Sequence, residues 1–359
     1  MNDIADRRHG ALIGLASGDA AGWPSRRHRS LVLPAWTRRL GRELDAFAEA
    51  EETTTLPVPF ALNQDPAPLR FGPSDDAEWV AWTMSWLSHG QPSSAWQVHA
   101  RWIGAVEAGS VPRGRISVAT AVDALRRGVR PPVTGRHNPH HFDDAAAVRA
   151  VGVGAVVTDP DEAATVAGWD AEVTNAEDGI AAARAVARVV SAVVGGTAGL
   201  SDVAPLVLAD LPADGLAGRT VRAALAMVAD LHSPAAAVPV LDDLDHHVYS
   251  YGVAAASTLA VAVALADIAG RGDTAPIDAI TAAACLPALA DSAPALTGAL
   301  VGAAHGLTAF PEPWVRGCRR LAGCCLPALA GVDLLDLAEP GSTHTFTTLD
   351  LTERDSRDQ

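Results

Sequence analysis

A chain of 359 residues can build one large domain or two ordinary ones, and a formal charge of −15 with a pI near 5.1 sets it against polyanionic partners. That field disfavours nucleic acid and anionic membrane surfaces, while a small anionic ligand could still bind where local positive charge is supplied. Apolar residues reach 49% but aromatics only 5%, an alanine-rich balance that favours helices over strands.

In chain order, residues 1–10 are polar and lack the apolar core of a secretory leader, so a cytoplasmic protein is expected. Residues 8–16 read as a helix ending at Gly18-Asp19, with Ala20-Ala21-Gly22-Trp23-Pro24 as the turn that follows. Residues 51–73, with Thr53, Thr54 and Thr55 among repeated prolines, read as a long loop of the kind that carries function. Ser74-Asp75-Asp76 opens a helix over 76–87. Its plain reading is an N-cap; its sharper one is a hydroxyl and two carboxylates forming one wall of a hard-cation site. Trp79, Trp82 and Trp86 recur at helical spacing and read as a packed core face rather than a base-stacking platform.

Helices are expected over 95–108, 178–194, 218–231, 252–269, 276–284 and 294–305, with Gly195-Gly196 stopping the second of these. The stretch 130–144, dense in Pro, His and Asn, reads as a second long loop, and His137, His140 and His141 as surface histidines. His246, His247 and Tyr249 are expected to pack. Residues 251–267 are long and apolar but alanine-rich and meet an acid, so they read as a buried helix and not a membrane span. Asp291-Ser292 before Ala293-Pro294 repeats the cap-like form of Ser74-Asp75-Asp76. Cys285, Cys318, Cys324 and Cys325 form no C-x-x-C pair and read as reduced structural thiols. The expected whole is all-α: one multi-helix domain over 1–338 and a mobile acidic tail over 339–359.

Taken together, these blocks resemble the ADP-ribosylglycohydrolase family. Gly14-Leu15-Ala16-Ser17-Gly18-Asp19-Ala20-Ala21-Gly22-Trp23-Pro24 is similar to its first block, and Ser74-Asp75-Asp76-Ala77 to its [ST]DDT block. Residues 143–154 with Val173-Thr174-Asn175 resemble the middle block, and 289–306 with Phe310-Pro311-Glu312-Pro313-Trp314 the last. The resemblance implies a compact all-α domain whose cleft holds two Mg²⁺ ions and hydrolyses an N- or O-glycosidic bond at the anomeric carbon of ADP-ribose. Two cations would hold the ribose hydroxyls and a water against that carbon. On this basis Ser74, Asp75, Asp76 and Asp291 are the expected metal ligands, the three aspartates also being the catalytic candidates. Asp19, Phe142, Asp143, Asp144 and Asn175 are the expected ligand-binding residues.

The last block departs from the family. Relatives read Asp-Thr-Asp-Thr where this chain reads Asp291-Ser292-Ala293-Pro294, so a carboxylate and a hydroxyl are gone. About three carboxylate charges would face the roughly four of two Mg²⁺ ions, which predicts at most one bound Mg²⁺ or Mn²⁺, with no ion as the other reading. Ala77 stands in place of threonine, Asn175 of histidine, and Arg26 near an acidic position, where it could neutralise part of the cluster or point outward. Without a metal, converging carboxylates would repel one another and one should hold its proton more tightly, leaving an acid–base pair suited to glycosidic chemistry.

The expected function is a hydrolase cleaving a ribosyl bond of an ADP-ribosylated or nucleotide-derived substrate. Two alternatives stand beside it: an enzyme on the same scaffold repurposed for a nucleotide-derived metabolite with one metal or none, and a non-catalytic binder of ADP-ribose or a protein.

Overall fold

A computed structural model of the chain describes residues 3–22, 50, 72–88, 90–244, 253–286 and 288–339. The described residues form helices, short 3₁₀ turns and two isolated β-bridges, Asp143 with Ala254 and Arg320 with Asp333; none lies in a strand. The all-α expectation holds.

The first helix, α1 (Ile4–Gly22), runs further than the sequence suggests, passing straight through Gly18-Asp19. Its glycines are not helix terminators. Gly10, Gly14, Gly18 and Gly22 recur every fourth residue and form a stripe against the backbone at Gly302, Gly298, Pro294 and Ala290, and a Cβ on any of them would collide with the facing carbonyl. Three of those partners lie on α14 (Ala293–His305) and Ala290 just before it, so the two helices run antiparallel, backbone against backbone. This places Asp19 at the same end of the pair as Asp291 and Ser292.

The helix α2 (Asp75–Leu87) is buried along its whole length. It is followed by α3 (Ala95–Glu107), α4 (Ile116–Arg126) and the single-turn α5 (Val133–Arg136). Segment 130–144, read as loop, therefore contains one helical turn among tight turns. The centre is built by α6 (Ala145–Val156), α7 (Pro160–Thr174) and α8 (Asp178–Val194), with α6 packed on both α2 and α8. Around them lie α9 (Val203–Asp210), α10 (Leu216–Met227), α11 (Pro234–Asp242), α12 (Ala255–Gly270), α13 (Pro276–Ala284) and α15 (Glu312–Cys318). Their buried apolar side chains form one continuous cluster. Its many alanines let α6, α8 and α12 be covered on several sides without long side chains.

Trp79, Trp82 and Trp86 are buried as expected, Trp79 stacking on Trp102 and Trp82 meeting both edge-on. Among the described residues no helix is long and apolar enough to cross a membrane. Arg26, His246, His247, Tyr249, residues 51–71 and the tail from 340 lie outside the described residues.

Candidate functional site

The acids that the sequence singles out converge on a residue it did not: Arg115. This arginine ends the connection from α3 and immediately precedes α4. It follows Gly114, where a Cβ would lie tight against Trp79 Nε1 at 3.0 Å and in ordinary contact with Asp75 Oδ2 at 3.6 Å. The connection is pinned by Arg113 N donating to Cys325 O at 3.0 Å. The Arg115 side chain is 1% exposed. Nε donates to Asp144 Oδ1 at 3.1 Å, Nη1 to Asp75 Oδ2 at 3.4 Å and to Asp291 Oδ2, and Nη2 to Asp76 Oδ1 at 3.2 Å and to Ser292 Oγ. One guanidinium thus joins α2, the start of α6 and the start of α14.

Each acid has its own support. Asp19, reaching from α1, accepts from Ser74 N at 2.7 Å, Ser74 Oγ at 2.7 Å and Ala77 N at 3.0 Å. It therefore supplies the acceptor at the start of α2 that Ser74 was expected to provide; Ser74 makes no side-chain capping bond. That arrangement orients Asp75 and Asp76. Ser292 is likewise no cap, its hydroxyl being turned to Arg115. Asp144 Oδ2 accepts from Thr258 Oγ1 of α12 at 2.8 Å. Asp143 Oδ1 accepts from Ala145 N at 3.2 Å and Asn175 Nδ2 at 3.0 Å. Asn175 Oδ1 in turn accepts from Thr174 Oγ1, which also accepts from the buried Arg149.

The charges are strongly coupled. Burial works against the charge on Arg115, but attraction to Asp291, Asp144, Asp76 and Asp75 outweighs it, so its proton is held even more firmly than usual. Burial pushes the Asp144 carboxyl up to about 7, helped by Asp291 and Asp143 and opposed by Arg115 and the Thr258 hydrogen bond.

The two-cation site implied by the resemblance does not fit these residues. Oxygens of Asp75, Asp76 and Asp291, and the Ser292 hydroxyl, accept from an internal cation. Ala293, fully buried, offers no side-chain oxygen where relatives have a carboxylate. Among the described residues, the group of His, Cys, Asp or Glu side chains whose donor atoms lie within 4.8 Å of one another is Glu78, Cys324 and Cys325, not the aspartates. A guanidinium has the charge and hydrogen-bonding fork to satisfy several carboxylates, but it cannot act as a Lewis acid.

Of the expected ligand-binding residues, Asp19, Asp143, Asp144 and Asn175 are buried and Phe142 is half-buried. Phe142 sits beside His140 and His141, its carbonyl accepting from Ala255 N at 3.0 Å. Next to them a cavity of ≈ 430 Å³ is lined by Pro132, Arg136, His141, Glu172, Asn175 and Glu177, among others. Asn175 forms part of its wall and bonds to Asp143, the neighbour of Asp144, so the cavity adjoins the Arg115 cluster through one short polar chain. Nothing in the pattern around Arg115 marks it as special. The signal that could have found it was the surplus of carboxylates, which demanded a cation and pointed instead to Arg26.

Residues 1–343 match the model of a family described as ADP-ribosylglycohydrolase. A solved structure described as an ADP-ribosylglycohydrolase-related protein complex is similar in fold, with a TM-score of 0.53 at 19% identity, covering 95% of this chain and 100% of that one. No curated protein matches the chain.

Proposed function

This chain belongs to the ADP-ribosylglycohydrolase family, and from that premise we propose that it binds a ribosyl or ADP-ribosyl ligand on a hydrolase scaffold whose two-metal chemistry has been replaced by the Arg115 cluster. The family supports a hydrolase in general. The finer reading rests on a single observation: the Arg115 guanidinium donates to Asp75, Asp76, Asp144, Asp291 and Ser292 together.

In two-metal hydrolysis, cations position ribose hydroxyls and generate the nucleophile from water. Here one oxygen of each corresponding carboxylate accepts from an internal ion, and the aspartates are buried. Among the described residues, the neighbouring cavity offers room for a ligand. Its volume suits a small molecule, and Arg136 and His141 give it hydrogen-bond donors in an otherwise acidic protein. Its contents would be a nucleotide-derived small molecule or an ADP-ribosylated side chain.

The test measures ADP-ribose binding by calorimetry alongside release of ADP-ribose from an ADP-ribosylated protein, each with Mg²⁺ and with EDTA. The expected result is binding that EDTA leaves unchanged and no Mg²⁺-dependent release. Mg²⁺-dependent turnover overturns the proposal. Turnover unaffected by EDTA also overturns it, in favour of metal-free acid–base hydrolysis by the same carboxylates.

A further inference from the structure

Away from the Arg115 contacts, but on the same helix, Glu78 of α2 faces the segment that carries Cys324 and Cys325. Glu78 is fully buried. Its Oε1 accepts from Cys324 N at 2.7 Å and from Cys324 Sγ at 3.2 Å, and its Oε2 from Cys325 N at 2.7 Å and Leu326 N at 3.0 Å. Adjacent side chains on an extended chain point to opposite sides. Here the backbone bends at both cysteines, following Gly323 at φ 73°, and the two sulfurs lie 3.8 Å apart on the same side. Gly323 is held against Ala330, whose Cβ would be 2.8 Å from an added Cβ.

These distances can be set against two chemistries. A disulfide needs its sulfurs about 2.05 Å apart, far closer than they lie. Two thiolates bound at about 2.3 Å to a tetrahedral zinc ion are separated by about 3.8 Å, and a thiolate and a carboxylate oxygen on the same ion by about 3.5 Å. The observed separations of 3.8 Å and 3.2 Å are those of reduced thiols in hydrogen-bond contact, and they lie within a few tenths of an ångström of the second case, so an ion could be taken up with small side-chain shifts. The surrounding charge agrees. A buried carboxylate beside two thiols supplies negative charge for a divalent cation, which would bind the sulfurs as thiolates and release their protons.

We propose that Glu78, Cys324 and Cys325 form a three-ligand site for a thiophilic divalent cation of the zinc type, with its fourth position open toward the partly exposed side of Cys324. The site shares no ligand with the aspartate cluster, and it does not rest on the ligand reading above. Its structural effect follows from its neighbours: Cys325 O holds Arg113 N, two residues before Arg115, so the ion would clamp together α2, segment 324–326 and the connection that delivers Arg115.

The experiment titrates reduced, chelator-treated full-length protein with Co²⁺ and Cd²⁺, following sulfur-to-metal charge transfer, and measures Zn²⁺ affinity by competition with a chromophoric chelator. The expected result is one equivalent per chain, a thiolate charge-transfer band, tetrahedral Co²⁺ transitions and a raised Tm, with the affinity falling at lower pH. Cys324→Ser, at the partly exposed sulfur, and Cys325→Ser should each remove the band, while Cys285→Ser, Cys318→Ser and Asp291→Asn keep it. Near-UV circular dichroism from the tryptophans checks that each variant is folded. Should Cys325→Ser fail that check, Cys324→Ser and Cys324→Ala carry the test. No charge-transfer band in the wild type, or a band that persists in folded Cys324 variants, overturns the proposal.

Discussion

Arg115 shows how much one side chain can decide. A buried guanidinium is costly to desolvate, and it is tolerated because its N–H groups meet four carboxylates and a hydroxyl. Removing it leaves those acids uncompensated, so Arg115→Met should lower unfolding stability by about 3–5 kcal/mol in urea, with part of the loss recovered when Mn²⁺ is added. A loss below about 1 kcal/mol, the level of an exposed pair, would show that the guanidinium is not holding the cluster. Asp144 gives the matching pH prediction. Its native carboxyl sits at about 7 against the ordinary 3.8, so the folded chain holds that proton more tightly than the unfolded one. Its stabilising contribution is complete below 3.8 and is lost as pH rises through about 7. Stability of the wild type should therefore fall across that interval relative to Asp144→Asn, which is neutral throughout; parallel pH profiles would contradict this.

At the scale of elements, the pairing of α1 with α14 is the device that brings the site together. Because the Gly10, Gly14, Gly18 and Gly22 stripe lets two backbones touch, Asp19 arrives close enough to bond Ser74 N and Ala77 N, and Asp291 close enough to reach Arg115. Gly14→Ala should force the helices apart and cost about 1–3 kcal/mol, as overpacking does, seen as a lower urea midpoint with unchanged slope. A midpoint equal to wild type would mean the contact is slack. The same stripe explains a misreading. Gly18-Asp19 looks like a helix end because glycine commonly stops a helix, yet here glycine faces another helix and α1 continues to Gly22. The helices α2, α8, α13 and α14 were legible from their starts, where acids or proline precede an apolar run. Helices α4 and α9, whose starts carry no side-chain cap, were not, and neither were α7 and α11, although their starts carry the same proline as α13 and α14.

Across the whole molecule, the family and the all-α fold could be read from blocks of sequence, since those blocks are the helix contacts themselves. That Asp75, Asp76 and Asp291 come together was legible for the same reason. What the sequence could not supply was the partner of those aspartates, because Arg115 is brought to them by the path of the chain from α3 to α4 and not by any local pattern. With a net charge of −15, the protein would attract stray divalent cations weakly over its surface, so the decisive quantity is a tight, stoichiometric site. The most direct measurement is a Mn²⁺ titration of chelator-treated protein by electron paramagnetic resonance, Mn²⁺ being a hard ion that favours oxygen over the sulfurs of Cys324 and Cys325. The account predicts no tight Mn²⁺ site in the wild type and the appearance of one in Arg115→Met; one or two tight wild-type sites that disappear in Asp75→Ala would contradict it.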